Sequence, residues 1–135
     1  MVALSKVQSS NGRIASTLPA RLVAVFIGGT SGIGEYTLKQ FAKYAREPRI
    51  YIVGRSQEAA DRITAECRKT NADGQYFFLR ADTSLIRNVD DVCQQIRSKE
   101  KAVNVLFLST GTLVSNKGDG THPRCPLGSR ENKTQ

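Results

Sequence analysis

The densest chemical signal in the chain is Gly28-Gly29-Thr30-Ser31-Gly32-Ile33-Gly34. An apolar run precedes these glycines and a helical pattern follows them. That is the setting in which a glycine turn can hold the diphosphate of a dinucleotide. Gly28 permits the tight turn, and Gly32, lacking a Cβ, lets the backbone approach a pyrophosphate. Gly34 allows close packing of the helix that follows, and Ser31 and Ile33 are placed for loop contacts. The helix would aim its free N–H groups and positive dipole end at the phosphates. The spacing is G-x-x-x-G-x-G rather than G-x-G-x-x-G. A triphosphate loop is excluded, because Glu35 stands where that loop needs Lys.

Three further clusters share the same expected edge. In an NAD site an acid about 20 residues beyond the glycines takes the ribose 2′-OH. Here that place holds Gly54-Arg55-Ser56, with no acid. The planar fork of Arg55, with Ser56 beside it, suits a 2′-phosphate, so the sequence predicts NADP in preference to NAD. Asp82, before Thr83, is placed to accept from the adenine amino group, with a helix-capping or turn role as the alternative. Gly111, ending Ser109-Thr110-Gly111, would allow close approach of the adenosine ribose; an ordinary turn glycine is the competing reading. No metal site is expected, since the three cysteines (Cys67, Cys93, Cys125) and single His are too dispersed for a zinc set.

The elements that must position these residues follow from hydrophobic periodicity. Leu22 to Ile27 is a continuous apolar run, as in a strand buried on both faces. Ile33, Thr37/Leu38, Phe41 and Ala45 then recur at helical spacing, up to Pro48. Ile50–Val53, Tyr76–Leu79 and Val103–Leu108 read as three more strands. Ala59/Ala60, Ile63 and Cys67 mark a second helix, and Val89, Val92/Cys93 and Ile96 a third. Strand–helix alternation of this kind predicts an α/β fold. Its core is a partial parallel sheet of about four strands with three crossover helices, spanning residues 21–114. Residues 1–20 read as an N-terminal extension with a short helix (Leu4, Val7, Ile14, Leu18) docked on the domain. Residues 115–135 are expected to be a disordered tail, having only Cys125 and Leu127 as hydrophobic residues.

Composition narrows the function classes. The chain has 135 residues, 39% hydrophobic, with 20 Lys+Arg against 12 Asp+Glu and a net charge of +8. The positive excess is spread along the chain and is not interleaved with aromatics, so specific nucleic-acid recognition is not expected. No apolar run is long enough to span a membrane, and no apolar signal segment opens the chain. Both point to a cytoplasmic protein. Cys67 and Cys93 are expected to be half-buried free thiols on helices.

These residues resemble the N-terminal half of the short-chain dehydrogenase/reductase family, over roughly residues 21–113. The family's T-G-x-x-x-G-I-G is matched from Gly28 to Gly34, with Ile27 in place of the Thr. Its Asp after the third strand matches Asp82. Its N-N-A-G corresponds to Leu108-Ser109-Thr110-Gly111, where Gly111 alone is kept. Val53-Gly54-Arg55-Ser56 is similar to NADP-preferring members. Leu108-Ser109-Thr110-Gly111 resembles fungal reductases of secondary-metabolite pathways, including those making terpenoid–polyketide hybrids.

The resemblance implies a Rossmann-type fold and an NADP(H)-binding oxidoreductase acting on a small-molecule carbonyl or alcohol if a longer form is active. It also implies a Tyr acid/base with Lys four residues later, whose cation makes the phenol an effective base. Tyr36, Tyr44, Tyr51 and Tyr76 are followed at that distance by Gln40, Pro48, Arg55 and Arg80, so no catalytic residue is assigned. The expectation is therefore a truncated chain lacking its catalytic half, and the composition break at Ser115 fits an altered reading frame, a retained intron or a damaged gene. The alternatives are an inactive or regulatory nucleotide-binding module and a generic basic interaction domain. The oligomeric state is left open.

Overall fold

In the computed structural model, which describes residues 1–111, β-strands and α-helices alternate as the periodicity requires. The elements run α1 (Leu4–Gly12), α2 (Ile14–Thr17), β1 (Val23–Ile27), α3 (Gly32–Tyr44), β2 (Arg49–Gly54), α4 (Gln57–Thr70), β3 (Gln75–Arg80), α5 (Ile86–Lys99) and β4 (Val105–Leu108). The expected tail over 115–135, the boundary at 114 and Cys125 lie outside the described residues.

The four strands form one parallel sheet in the order β3-β2-β1-β4. The chain steps outward from β1 to β2 to β3, then α5 carries it back to pair β4 with the other side of β1. The strand order therefore reverses at β1, and the crevice at the carboxyl ends of β1 and β4 is the place where open α/β sheets bind ligands.

Two cores fix this edge. On one face Ala24, Phe26, Ile50, Ile52 and Tyr76 pack under Leu38 and Ala42 of α3 and Ile63 and Cys67 of α4. On the other, Val23, Val25, Tyr51, Val53 and Leu79 pack under Val92 and Ile96 of α5. Because both faces of β1 and β2 are covered, their runs are apolar without alternation. A polar network closes the opposite, amino-terminal end of the sheet: Glu100 accepts from Tyr51 Oη (2.6 Å) and Arg49 Nε (2.7 Å).

Several expectations need correction. The N-terminal helix forms in two pieces, neither with a buried residue; Ile14 is half-buried and Arg46 donates to Leu18 O (3.3 Å) at the end of α2. The break between the two helices falls at Arg13, directly after Gly12, the residue with the weakest helix propensity in the segment. Ile33 is not on the core face of α3; it is 76% exposed. The buried phase is set one residue later, by Gly34, Leu38 and Ala42. The fourth strand begins at Val105, not Val103. The side-chain oxygen of Asn104 accepts from Val23 N (2.9 Å) and the backbone N–H of Asn104 donates to Val23 O (2.9 Å), which uses up the pairing groups of Val23. Cys93 is exposed, whereas Cys67 is buried and its thiol is pushed up to about 11 by desolvation.

Candidate functional site

The glycine loop is built by contacts that a side chain would destroy. Ile27 O accepts from Ser109 N (2.8 Å) and Gly28 N donates to Val53 O (3.1 Å), so the end of β1 is tied to both neighbouring strands. Gly28 then turns with φ +81°, and a Cβ there would stand 2.5 Å from Ser109 O. A Cβ on Gly34 would stand 2.3 Å from Gly28 O. The helix thus packs directly onto the loop backbone, as well as lying close to the sheet. Gly32 differs: its φ is +55°, yet a Cβ there would meet nothing within 4 Å. Its surroundings are open space at the start of α3. The first helical bond of α3 runs from Glu35 N to Ser31 O (3.2 Å). The amides of Gly32 and Ile33, both exposed, therefore precede the helical ladder and are available to an anion. The hydroxyl of Ser31, at the N-cap, makes no capping bond to the helix.

Glu35, in the first turn of α3, places a carboxylate beside this anion site. The structure neutralises it. Arg62 of α4 donates to both of its oxygens (2.8 and 2.9 Å), Lys39 donates at 2.6 Å, and Glu66 shares both cations. Hydrogen bonds from Arg62, then Lys39, hold the Glu35 carboxyl at about 2, against the opposing effect of burial. A carboxylate lowered in the folded state stabilises it above the ordinary carboxyl range, and that contribution is lost as pH falls through the folded value. Glu35→Gln is therefore expected to cost about 1 kcal/mol at pH 7, at the upper end for a partly exposed pair. Urea midpoints should show the wild type losing more stability than Glu35→Gln between about pH 4.5 and pH 2. Parallel losses in the two proteins would remove Glu35 from the balance.

Gly28, Ser31, Arg55, Asp82 and Gly111 line one open cavity of about 500 Å³ at the carboxyl edge of the sheet, together with Thr30, Gly54 and Thr110. Five of the nine sequence-predicted residues thus meet in one cleft. Gly32 and Ile33 are exposed at the start of α3 beside it, and Gly34 is buried behind the loop. Ser56 is the N-cap of α4, where its oxygen accepts from Ala59 N (3.2 Å), leaving the hydroxyl proton free to donate. Asp82 Oδ1 accepts from Ser84 N (3.0 Å) and Ser84 Oγ (2.7 Å). The two Ser84 bonds, aided by the charge of Arg55, hold its carboxyl below the usual range. The turn role is therefore real. The carboxylate stays ionised, with its second oxygen unengaged among the described residues.

Two contributors were missed by sequence reasoning. Gly54 is needed because a Cβ there would lie 2.7 Å from Thr30 Cγ2. Thr30 was passed over as an unspecified loop position. Only the contact between the two loops reveals the pair. None of the four tyrosines lines the cavity.

The donors present suit a phosphorylated nucleotide: free helix-start amides, an open glycine, an arginine and an ionised acceptor for an amino group. The short chain dehydrogenase family model matches residues 22–123, through and beyond the composition break at Ser115. The oxidoreductase andH of Emericella variicolor is 41% identical over 119 residues, covering 88% of this chain and 35% of that protein. The oxidoreductase AN1596 of Emericella nidulans is 45% identical over 113 residues, covering 84% of this chain and 33% of that one. The chain therefore spans about a third of the length of these curated relatives. Among solved structures, L-sorbose reductase of Gluconobacter frateurii, complexed with NADPH and L-sorbose, superposes with a TM-score of 0.62 at 25% identity. That match covers 69% of this chain and 34% of the reductase.

Proposed function

The chain belongs to the short chain dehydrogenase family, and on that premise we propose that it forms the NADP(H)-gripping part of a fungal oxidoreductase. The observation that carries this reading is the convergence of Gly28, Ser31, Arg55, Asp82 and Gly111 on one cavity at the reversal of strand order. The exposed helix-start amides of Gly32 and Ile33 hold the pyrophosphate, with the space at Gly32 left for it and Gly34 packing the helix onto the loop. Arg55 and the Ser56 hydroxyl take the 2′-phosphate, and Asp82 takes the adenine amino group. Gly111 admits the adenosine ribose. When bound, the nicotinamide group supplies hydride exchange with a carbonyl or alcohol.

The substrate is a small molecule, and similarity to fungal secondary-metabolism reductases supports a biosynthetic step as its setting. The 135 residues contain no Tyr with Lys four positions later, and no tyrosine in the cleft. Turnover accordingly depends on groups supplied by the further length that the relatives have. The second reading is a nucleotide-binding module with no turnover of its own, favoured by that same missing pair. No helix among the described residues is long and apolar enough to cross a membrane, in keeping with a cytoplasmic setting.

The test is calorimetry on the 135-residue chain with the two halves of the cofactor. Saturable binding of 2′-phospho-ADP-ribose, with no heat from nicotinamide mononucleotide, is expected. Equal binding of the halves, or of neither, contradicts the reading. Adding NADPH and a panel of ketones to the chain then separates the two readings: turnover would overturn the non-catalytic one.

A further inference from the structure

Beside the dinucleotide cleft lies a second open hollow, also about 500 Å³, that shares Asp82 with it. Asn88 of α5 lines this hollow and not the cleft. It is half-buried, and its Nδ2 donates to the backbone carbonyl of Asp82 (2.9 Å). The same carbonyl accepts from Leu85 N (3.3 Å), which closes the turn between β3 and α5. Ser84, which lines the cleft, holds the Asp82 side chain: its N–H (3.0 Å) and its hydroxyl (2.7 Å) both donate to Oδ1. Asp82 is thus fixed at two points, its backbone from α5 and one carboxylate oxygen from the turn.

These bonds are not spent on starting the helix. A helix start ordinarily recruits a side-chain oxygen at its N-cap. In α5 that place is held by Leu85, and no side chain caps the helix. The polar side chains around its start, Ser84 and Asn88, are instead both bonded to Asp82. The terminal torsion of an aspartate is broad and roughly two-fold, so an unheld carboxylate exchanges its two oxygens freely. With Oδ1 taken twice, that rotation is arrested, and Oδ2 is the oxygen left to a ligand in the cleft.

We propose that Asn88 is a positioning residue, which together with Ser84 locks Asp82 so that the site tells adenine from hypoxanthine. This rests on the cofactor reading above. A carboxylate held as a fixed acceptor pairs with the 6-amino donor of adenine and is opposed by the 6-oxo group of hypoxanthine. A carboxylate free to turn would swing away from that oxygen, and the discrimination would fade, since specificity is a difference between two affinities. Asn88 lies outside the lining of the cleft, so its effect on a ligand there passes through Asp82. Only the return of α5 against the end of β3 brings it there.

The test measures Kd on the full chain for NADPH and for its analogue carrying hypoxanthine in place of adenine. The wild type is expected to bind NADPH about tenfold more tightly, the effect of one hydrogen bond to a charged group. Asn88→Leu, which keeps the size and removes the donor, should shrink that ratio to about threefold or less. Ser84→Ala should do the same, whereas Ser84→Thr, which keeps the hydroxyl, should retain the wild-type ratio. A merely structural role for Asn88 would weaken both ligands equally and leave the ratio unchanged, and that result overturns the inference. Thermal melts check the fold of each variant. If Asn88→Leu is unstable, the two variants of the exposed Ser84 decide the matter, an unchanged ratio in Ser84→Ala again overturning it. A wild-type ratio that survives all these changes overturns this inference alone. A folded wild type that takes both ligands equally removes Asp82 from the adenine site as well, and one that binds neither overturns the cofactor reading itself.

Discussion

Gly34→Ala should abolish cofactor binding, lowering affinity by a factor of about 100 or more, and should destabilise the fold. The added methyl would stand 2.3 Å from the Gly28 carbonyl oxygen, which is itself held by the β1 end, so neither side can yield cheaply. Overpacking of this kind costs about 1–3 kcal/mol, and in a domain of this size each kcal/mol lowers Tm by about 4–8 °C. Gly28→Ala should behave alike, because it adds a positive-φ penalty (φ +81°) to a 2.5 Å clash with Ser109 O. Gly32→Ala is the informative contrast. Its Cβ meets nothing in the protein, so the cost to folding is the left-handed backbone alone, about 1 kcal/mol. Its methyl would nonetheless occupy the space assigned to the pyrophosphate. The expected result is a Tm within about 8 °C of wild type and NADPH binding at least about tenfold weaker, or about 1.4 kcal/mol. A Gly32→Ala chain that binds NADPH as wild type does would show that the diphosphate lies elsewhere and that the loop glycines serve packing only.

Arg55→Asp is expected to reverse cofactor choice. Removing the guanidinium forfeits a charge-assisted bond to the 2′-phosphate, about 1.5–3 kcal/mol, and the new carboxylate repels the phosphate while accepting from a ribose 2′-OH. NADPH should weaken by about 100-fold and NADH tighten, moving the ratio by roughly two to three orders of magnitude. Arg55 is exposed and makes no ion pair among the described residues, so folding should be unaffected. The wild-type preference should also fade with added salt, as expected for an exposed charge pair. An unchanged NADPH/NADH ratio would remove Arg55 from the site.

What was legible in the sequence was whatever local periodicity or steric need specifies. The apolar runs Leu22–Ile27 and Ile50–Val53 announced buried strands, because both faces of each are covered. Gly28 and Gly34 were legible as required glycines, since a turn between strand and helix leaves no room for a Cβ. Most of the features that escaped depend on which elements become neighbours in space. The Thr30–Gly54 contact and the pairing of Gly54 with Arg80 come from the register of β2 against its neighbours, which no spacing along the chain encodes. The neutralisation of Glu35 required Arg62, twenty-seven residues away on another helix. Ile33 misled because an isoleucine at helical spacing reads as core, whereas the loop geometry sets the helix phase from Gly34. Asn104 shortened the last strand through a side chain that mimics a backbone acceptor.

The most direct test of the account is a calorimetric titration of the 135-residue chain with NADPH and, in parallel, NADH, after circular dichroism has shown the chain to be folded. The account predicts saturable, one-to-one binding of NADPH, at least about tenfold tighter than NADH, or about 1.4 kcal/mol. A folded chain that gives no heat with either cofactor, or that takes NADH equally well, would contradict it.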